Sequence, residues 1–402
     1  VTPDENPTWG AWVEAACARV EAAGQWRAPK EFDARGHDGR LRTGATAHDV
    51  PVVSFASNDY LGLATHPAVV AAAHEALDRW GAGSGASRLV TGSRPVHHRL
   101  EAALAGWKGT EAAVVFPTGF AANLSVLSVF AGGGDVVVHS DELNHASIID
   151  GCRLARADVR IVPHNDLGAL ETSLSSVDGR SVVVSDTVFS MDGDAADLDG
   201  LCRVTARHDA LLVLDEAHAV LGPELGRTYG VDVLRVGTMS KTLGSLGGFV
   251  AGPARFVQLL VNRARPYIFT TAPTPADAAA ALAAVGVVRS PEGDALRDRL
   301  RHHVGRVARA TGLSSHASPI LPLVIGAEDA AVAASAALLE QGLWVPAIRP
   351  PTVAPGTSRL RITLSATHTD EQVNRLVAGL ADVRPDGVAG RAPGAQGVGS
   401  AA

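Results

Sequence analysis

"GTMSKTLGSLGGFV", residues 237–250, sets a single lysine, Lys241, among glycines, serines and threonines, directly after the apolar-rich run "VDVLRV" (231–236). Three readings fit such a lysine. A solvated loop lysine is the commonest. A phosphate-cradling P-loop, G-x-x-x-x-G-K-[ST], needs glycine immediately before the lysine, and Ser240 stands there instead. A Schiff-base lysine needs its amine near a cofactor carbonyl, with small neighbours that leave room for a ring and polar ones that meet a phosphate. The run supplies both kinds of neighbour, and the rest of the chain decides.

Working outward, short Val-rich runs recur at 112–117, 135–139, 159–164, 181–186, 210–216 and 231–236. Helical stretches such as "FAANLSVLSVFA" and "DLGALETSLSS" separate most of them. The alternation predicts βαβ units around a mostly parallel central sheet buried on both faces, an α/β fold. After about residue 290 the texture changes to a basic helix, an Ala-rich helix, a strand and a last helix, "TDEQVNRLVAGLADV". That last helix carries a capping box, Thr369 with Gln372, and sets Val373, Leu376, Val377 and Leu380 on one face. The expected organisation is an N-terminal segment (1–53), a large α/β domain (54–290), a smaller C-terminal α+β domain (291–384) and a disordered tail (385–402) of Gly, Ala and Pro.

Bulk composition removes several function classes. A chain of 402 residues with 46% hydrophobic content can bury a sizeable core. The formal charge of −7 offers no basic stripe for nucleic acid, and the apolar stretch "AAAALAAVGVV" (278–288) is too short for a membrane span. Cys17, Cys152 and Cys202 are scattered without C-x-x-C, so neither a disulfide framework nor a metal site is expected, which suits a cytoplasmic protein. The opening stretch lacks a charged n-region and an apolar core, so no secretory signal is expected.

In such sheets ligands bind outside the carboxyl ends of the strands. "PTGFAAN" follows the first run, and Thr118, Gly119 and Phe120 would open a helix whose N–H groups suit a phosphate. "NHAS" with His145 follows the second run, "DTVFSMDGD" with Ser190 the fourth, and "DEAH" with Asp215 and His218 the fifth. Alone, Asp215 would be a helix cap and His145 a packed core histidine. "DEAH" is also the Walker B string of helicases, but that reading needs an upstream G-K-[ST] and a basic path, and the sequence has neither. Together the residues meet the needs of pyridoxal 5′-phosphate (PLP). PLP chemistry wants an anion opposite the pyridine nitrogen, a flat side chain on the ring, donors to its phenolic oxygen, a helix N-terminus and a lysine.

At this point the chain resembles the α-oxoamine synthases, PLP-dependent enzymes of fold type I. The resemblance runs from "SFASNDYLGL" (54–63) through "GAGSGASRLVTGS", "PTGFAANLSV", "NHASIIDGCRLARA", "VFSMDGD", "LLVLDEAHAV" and "TMSKTLGSLGG" to "WVPAIRPPTVAPGTSRLRITLSATH" (344–368). It implies that Lys241 joins the cofactor, Asp215 pairs with the ring nitrogen and His145 stacks on the ring. It further implies that His218 and Ser190 meet the phenolic oxygen, and that Gly119, Phe120 and Thr238 hold the phosphate, with Thr271 reaching in from the partner of a homodimer. Asn58 and Arg361 match positions used near the amino-acid substrate, and Arg349 is a further candidate for a carboxylate. Arg361 also has a physical argument: in "RLRIT", Arg359, Arg361 and Thr363 share one strand face while Leu360 and Ile362 take the core. The implied reaction joins an amino acid to an acyl thioester with loss of CO2. L-alanine with a pimeloyl thioester is the expected pair, and glycine with acetyl-CoA the runner-up. A PLP-fold partner subunit without turnover of its own is the other reading.

Two departures stand out. Ala219 follows "DEAH" where the family usually has glycine, which raises the question of a shifted loop beside His218. The family's N-terminal arginine cluster for the distal acyl carboxylate is reduced to "GQWRAPKEF", with Arg27.

Overall fold

A computed structural model describes residues 8–43, 48–313 and 318–383. The expected tail, 385–402, lies outside the described residues. A helix, Trp9–Ala22, precedes the first three strands, β1 (Glu31–Ala34), β2 (Asp38–Thr43) and β3 (His48–Ser54). The central sheet follows with β4 (Ala112–Phe116), β5 (Val136–Asp141), β6 (Asp158–Val162), β7 (Arg180–Asp186), β8 (Leu211–Asp215), β9 (Val233–Thr238) and β10 (Gly248–Gly252). The last four are β11 (Ile320–Gly326), β12 (Leu343–Trp344), β13 (Ala347–Ile348) and β14 (Ser358–Thr363).

The seven-stranded sheet has the order β4-β10-β9-β8-β7-β5-β6. Its six Val-rich strands are those expected, and they all point one way. Residue parity explains why they read as continuous apolar runs. Val182, Val184, Val213, Leu234 and Val236 pack under the helices Gly119–Phe130 and Ala146–Ala155. Val183, Leu212, Leu214 and Val233 pack under the helices Leu167–Ser175 and Leu198–Arg207 on the other face. With both faces covered, no polar alternation is possible.

The seventh strand, β10, is not among the predicted strands. It runs antiparallel between β9 and β4, and all five of its residues are buried. Its sequence, "GFVAG", begins and ends in glycine and so reads as a loop. Its first glycine has a packing reason. A Cβ on Gly248 would lie 2.4 Å from the Thr118 carbonyl oxygen and 2.5 Å from the Gly119 nitrogen.

In the C-terminal part, β11, β14 and β13 form an antiparallel sheet backed by the helices Glu328–Glu340 and Asp370–Asp382. The predicted capping box is present: Gln372 N donates to Thr369 Oγ1 at 3.2 Å and Thr369 N to Gln372 Oε1 at 2.8 Å. Leu360 and Ile362 are fully buried, as expected of the core face of β14. The N-terminal strands do not stand apart from this region, because β12 pairs in parallel with β3, Leu343 opposite Val53. No helix among the described residues is long and apolar enough to cross a membrane.

Replacing Gly248 with Ala should therefore lower stability by about 1–3 kcal/mol through overpacking against the Thr118–Gly119 turn. An unchanged thermal or urea midpoint would show that the turn has room to move.

Candidate active site

Strand parity puts Asp215 on the same face as Val213, under the helix Gly119–Phe130, and it is only 6% exposed. Its carboxylate is fully engaged there. Asn123 Nδ2 donates to Oδ2 at 2.6 Å and Ala217 N to Oδ1 at 2.9 Å. Glu216, one residue on, faces the opposite side, where Lys108 Nζ lies 2.7 Å and Arg235 Nε 2.6 Å from its two oxygens. Burial pushes the Glu216 carboxyl up, but these two cations outweigh it and hold it below its usual range. The "DEAH" turn is thus pinned from both faces of the sheet. Ala219 takes an ordinary negative-φ backbone, and its N–H donates to the Glu216 carbonyl at 3.1 Å, so the turn does not need glycine there.

His145 caps the helix Ala146–Ala155. Its Nδ1 accepts from Ser147 N at 3.2 Å and lies 2.8 Å from Ser147 Oγ, which leaves the ring proton on Nε2. Burial lowers its pKa; the nearby Asp215 opposes that shift and Lys241 adds to it. Asn123 links the two residues, since its Nδ2 also donates to Ser147 Oγ at 2.9 Å. Asp186 ends β7 in register with Asp215 and accepts from His145 N at 3.0 Å. Burial, with Asp215 alongside, raises its pKa well above the ordinary value.

Lys241 lies in the loop that joins β9 to β10. Its Nζ is 2.8 Å from His218 Nε2, and burial lowers its pKa against the pull of Asp215 and Asp186. A depressed amine pKa raises the share of the neutral, nucleophilic form. His218 Nδ1 in turn lies 2.5 Å from Tyr60 Oη, and Tyr60 donates to Asn58 Oδ1 at 3.0 Å. Arg361 reaches the same Asn58 oxygen with two nitrogens at 3.4 and 3.3 Å, while its Nε donates to the Ser190 carbonyl at 2.6 Å. Arg361 also donates to Thr363 Oγ1 at 3.0 Å, and Arg359 pairs with Asp192, so the polar face read in "RLRIT" is the face turned to the 190–192 loop.

A second cluster forms around Gly119. Thr118 Oγ1 accepts from Ala121 N at 3.0 Å and caps the helix. The first N–H groups of a helix have no intrahelical partner, and Gly119 and Phe120 hold those positions. Thr238 packs against them, its Cβ 3.2 Å from where a Cβ on Gly119 would stand, and its Oγ1 is 2.7 Å from Ser240 Oγ. N–H groups at a positive helix end together with two hydroxyls suit a phosphate. An amine of lowered pKa, a buried carboxylate and such a cradle together fit PLP.

Lys241, His218, Asn58, Ser190 and Arg361 thus come together, joined by Asp215 and His145 beneath. Three expected residues stand outside this network. Thr271 and Arg27 are exposed, and Arg349 is half-buried with its guanidinium near Gly24. Asn123, Tyr60 and Asp186 belong to the site but do not figure among the expected residues. Each lies inside a stretch already quoted, and Asn123 falls one helical turn after Gly119, on the sheet-facing side.

The loop that carries Ser190 has its own anchor. His164 Nδ1 is 3.0 Å from Asp141 Oδ1 and its Nε2 is 2.7 Å from Asp194 Oδ2. Burial alone would lower its pKa, but the two carboxylates overcome it and hold His164 at about 10.

The residues 50–380 match the family profile of class I and II aminotransferases. The chain is 47% identical over 377 residues to an 8-amino-7-oxononanoate synthase of Paraburkholderia xenovorans, covering 87% of this chain and 95% of that protein. It is 48% identical to one from Geobacter sulfurreducens, with 83% and 88% covered. Among solved structures, the serine palmitoyltransferase of Sphingomonas wittichii superposes with a TM-score of 0.85 at 31% identity, over 94% of this chain and 98% of that one. An 8-amino-7-oxononanoate synthase from Francisella tularensis superposes with a TM-score of 0.69 at 26% identity, over 82% and 97%. The chain belongs to the class I and II aminotransferase family and is a PLP-dependent enzyme of the α-oxoamine synthase group. Within that group it falls with the 8-amino-7-oxononanoate synthases.

His164 yields a pH prediction. Its folded pKa of about 10 stands above the ordinary 6.5, so the stabilisation is complete below pH 6.5 and is lost as pH rises through 10. The stability gap between wild type and His164→Gln, measured by urea unfolding, should be widest near pH 6 and close towards pH 10. A gap that widened with rising pH would contradict the assignment.

Proposed function

We propose that this chain condenses L-alanine with a pimeloyl thioester, with loss of CO2, to give 8-amino-7-oxononanoate, and that the residues gathered around Lys241 carry the reaction. The contact that carries this reading is the pairing of half-buried Lys241 with buried His218 at 2.8 Å, within reach of the Asp215 charge.

In this reading PLP is covalently held by Lys241 and, when bound, supplies an electron sink for charge developing at the amino acid's Cα. Asp215 would be the anion for the ring nitrogen, its carboxylate held in place by the Asn123 and Ala217 donors. His145 would be the flat side chain for the ring, and His218 with Ser190 would meet the phenolic oxygen. Gly119, Phe120 and Thr238 take the phosphate. Arg361 grips the amino-acid carboxylate with Asn58 beside it, since a guanidinium suits bidentate carboxylate binding. With its Nζ free, Lys241 would remove the Cα proton and later return one. Burial of the amine serves that step, because a base acts best with its pKa near the working pH.

Arg349 and Arg27 are the candidates for the acyl end. Thr271, exposed on one chain, reaches the phosphate of a second copy in a homodimer. The division into a large unit (54–290) and a smaller one (291–384) belongs to the same reading, with Arg361 of the smaller meeting Ser190 and Asn58 of the larger. Three free cysteines are consistent with a cytoplasmic setting.

Borohydride reduction of the PLP-loaded protein should leave the cofactor's mass on Lys241, and Lys241→Ala should abolish both the adduct and turnover. An adduct on another residue would sink the assignment. Arg361→Lys should raise KM for alanine on the order of tenfold or more while the absorbance of bound PLP stays unchanged. Mass spectrometry of products from alanine or glycine against pimeloyl and acetyl thioesters tests the substrate pair: a preference for glycine with acetyl-CoA would replace it.

A further inference from the structure

We propose that Tyr60 is a positioning residue whose hydroxyl, set between His218 and Asn58, decides which ring nitrogen of His218 carries the proton. It thereby decides whether the nitrogen facing Lys241 donates or accepts. Tyr60 is fully buried, and its Oη lies 2.5 Å from His218 Nδ1 and 3.0 Å from Asn58 Oδ1. Burial, with Lys241 and Arg361 close by, keeps His218 far below its usual pKa, so the ring holds one proton and its placement matters. Burial also pushes the Tyr60 hydroxyl up to about 12, despite the nearby charge of Arg361, so it keeps its own proton at neutral pH.

The directions along this line follow from its Asn58 end. Arg361 is a donor only and approaches Asn58 Oδ1 with two nitrogens, which fixes that atom as the acceptor. Tyr60 has one proton, and giving it to Asn58 leaves its oxygen as the acceptor for His218, whose Nε2 is then the acceptor for the Lys241 amine 2.8 Å away. The proton of His218 then sits on Nδ1 and points to the Tyr60 oxygen, and the Tyr60 proton goes to Asn58. Each donor has an acceptor. If Nε2 must instead donate, as it would to an anionic oxygen, Tyr60 has to turn its proton to Nδ1 and give up its bond to Asn58, whose oxygen then faces the Tyr60 oxygen with no proton between them. The hydroxyl thus favours the Nδ1–H form, the arrangement in which both of its contacts are hydrogen bonds. A phenyl ring serves neither and leaves a buried ring nitrogen unpaired. The consequence for the cofactor rests on the functional reading above, whereas the tautomer belongs to the cofactor-free chain.

The test uses protein labelled with 15N-histidine, the His218 signal being identified by its loss in His218→Asn. In the cofactor-free wild type at neutral pH, NMR should show His218 protonated at Nδ1. Finding the proton on Nε2 would overturn the proposal without any appeal to a variant. In Tyr60→Phe, with folding checked by circular dichroism, the single Nδ1–H form should be lost. After loading with PLP, the pH midpoint of the absorbance of the Lys241-bound cofactor should move by about one unit relative to wild type. An unchanged tautomer or an unchanged midpoint confines Tyr60 to packing and overturns the proposal. Failure of PLP to attach at Lys241 in the wild type would instead strike the functional reading and leave the tautomer result standing.

Discussion

The site depends on burying opposite charges within one cleft without letting them cancel. A carboxylate at the end of β8 is taken almost wholly out of water, which is tolerable only because Asn123 and the Ala217 amide satisfy both of its oxygens. Lys241 is brought close enough to feel Asp215 and Asp186, yet its direct partner is a neutral imidazole. Had the amine closed directly onto Asp215, the pair would have been a stable buried salt bridge with little nucleophilic character. A neutral histidine partner keeps the lysine available.

The scaffold meets this demand through residue parity. Asp215 and Glu216 are neighbours in sequence but face opposite sides of the sheet, one engaged by a helix amide and the other by Lys108 and Arg235. The same logic holds at β14, where Leu360 and Ile362 fill the core while Arg359 and Arg361 reach the loop after β7. That loop is tied down by His164 between two aspartates, so the Ser190 carbonyl meets Arg361 from a braced position. Polar groups from distant parts of the chain converge because each lies at the end of an otherwise apolar element.

Much of this is legible in the residues alone. The six Val-rich runs announce their strands, since strands buried on both faces need no polar alternation. Asp215, His145, Lys241 and Gly119 are conspicuous because each interrupts or follows such a run. β10 is hidden by its terminal glycines, whose purpose is a close approach visible only in three dimensions. Asn123, Tyr60 and Asp186 are hidden for a different reason: an amide on a helix, a tyrosine in a loop and an aspartate at a strand end are ordinary, and only their partners make them special. The pairing of β12 with β3 has no local signature, because register between remote segments is set by the assembled fold.

That remote pairing bears on how the chain is made. Residues 48–54 leave the ribosome long before 343–344 exist, so one edge of the N-terminal hairpin waits open through most of translation. Its completion is among the last events of synthesis. Late-closing contacts of such long sequence separation slow the final step of assembly, and a chain stopped before residue 343 would expose an edge able to capture a neighbour.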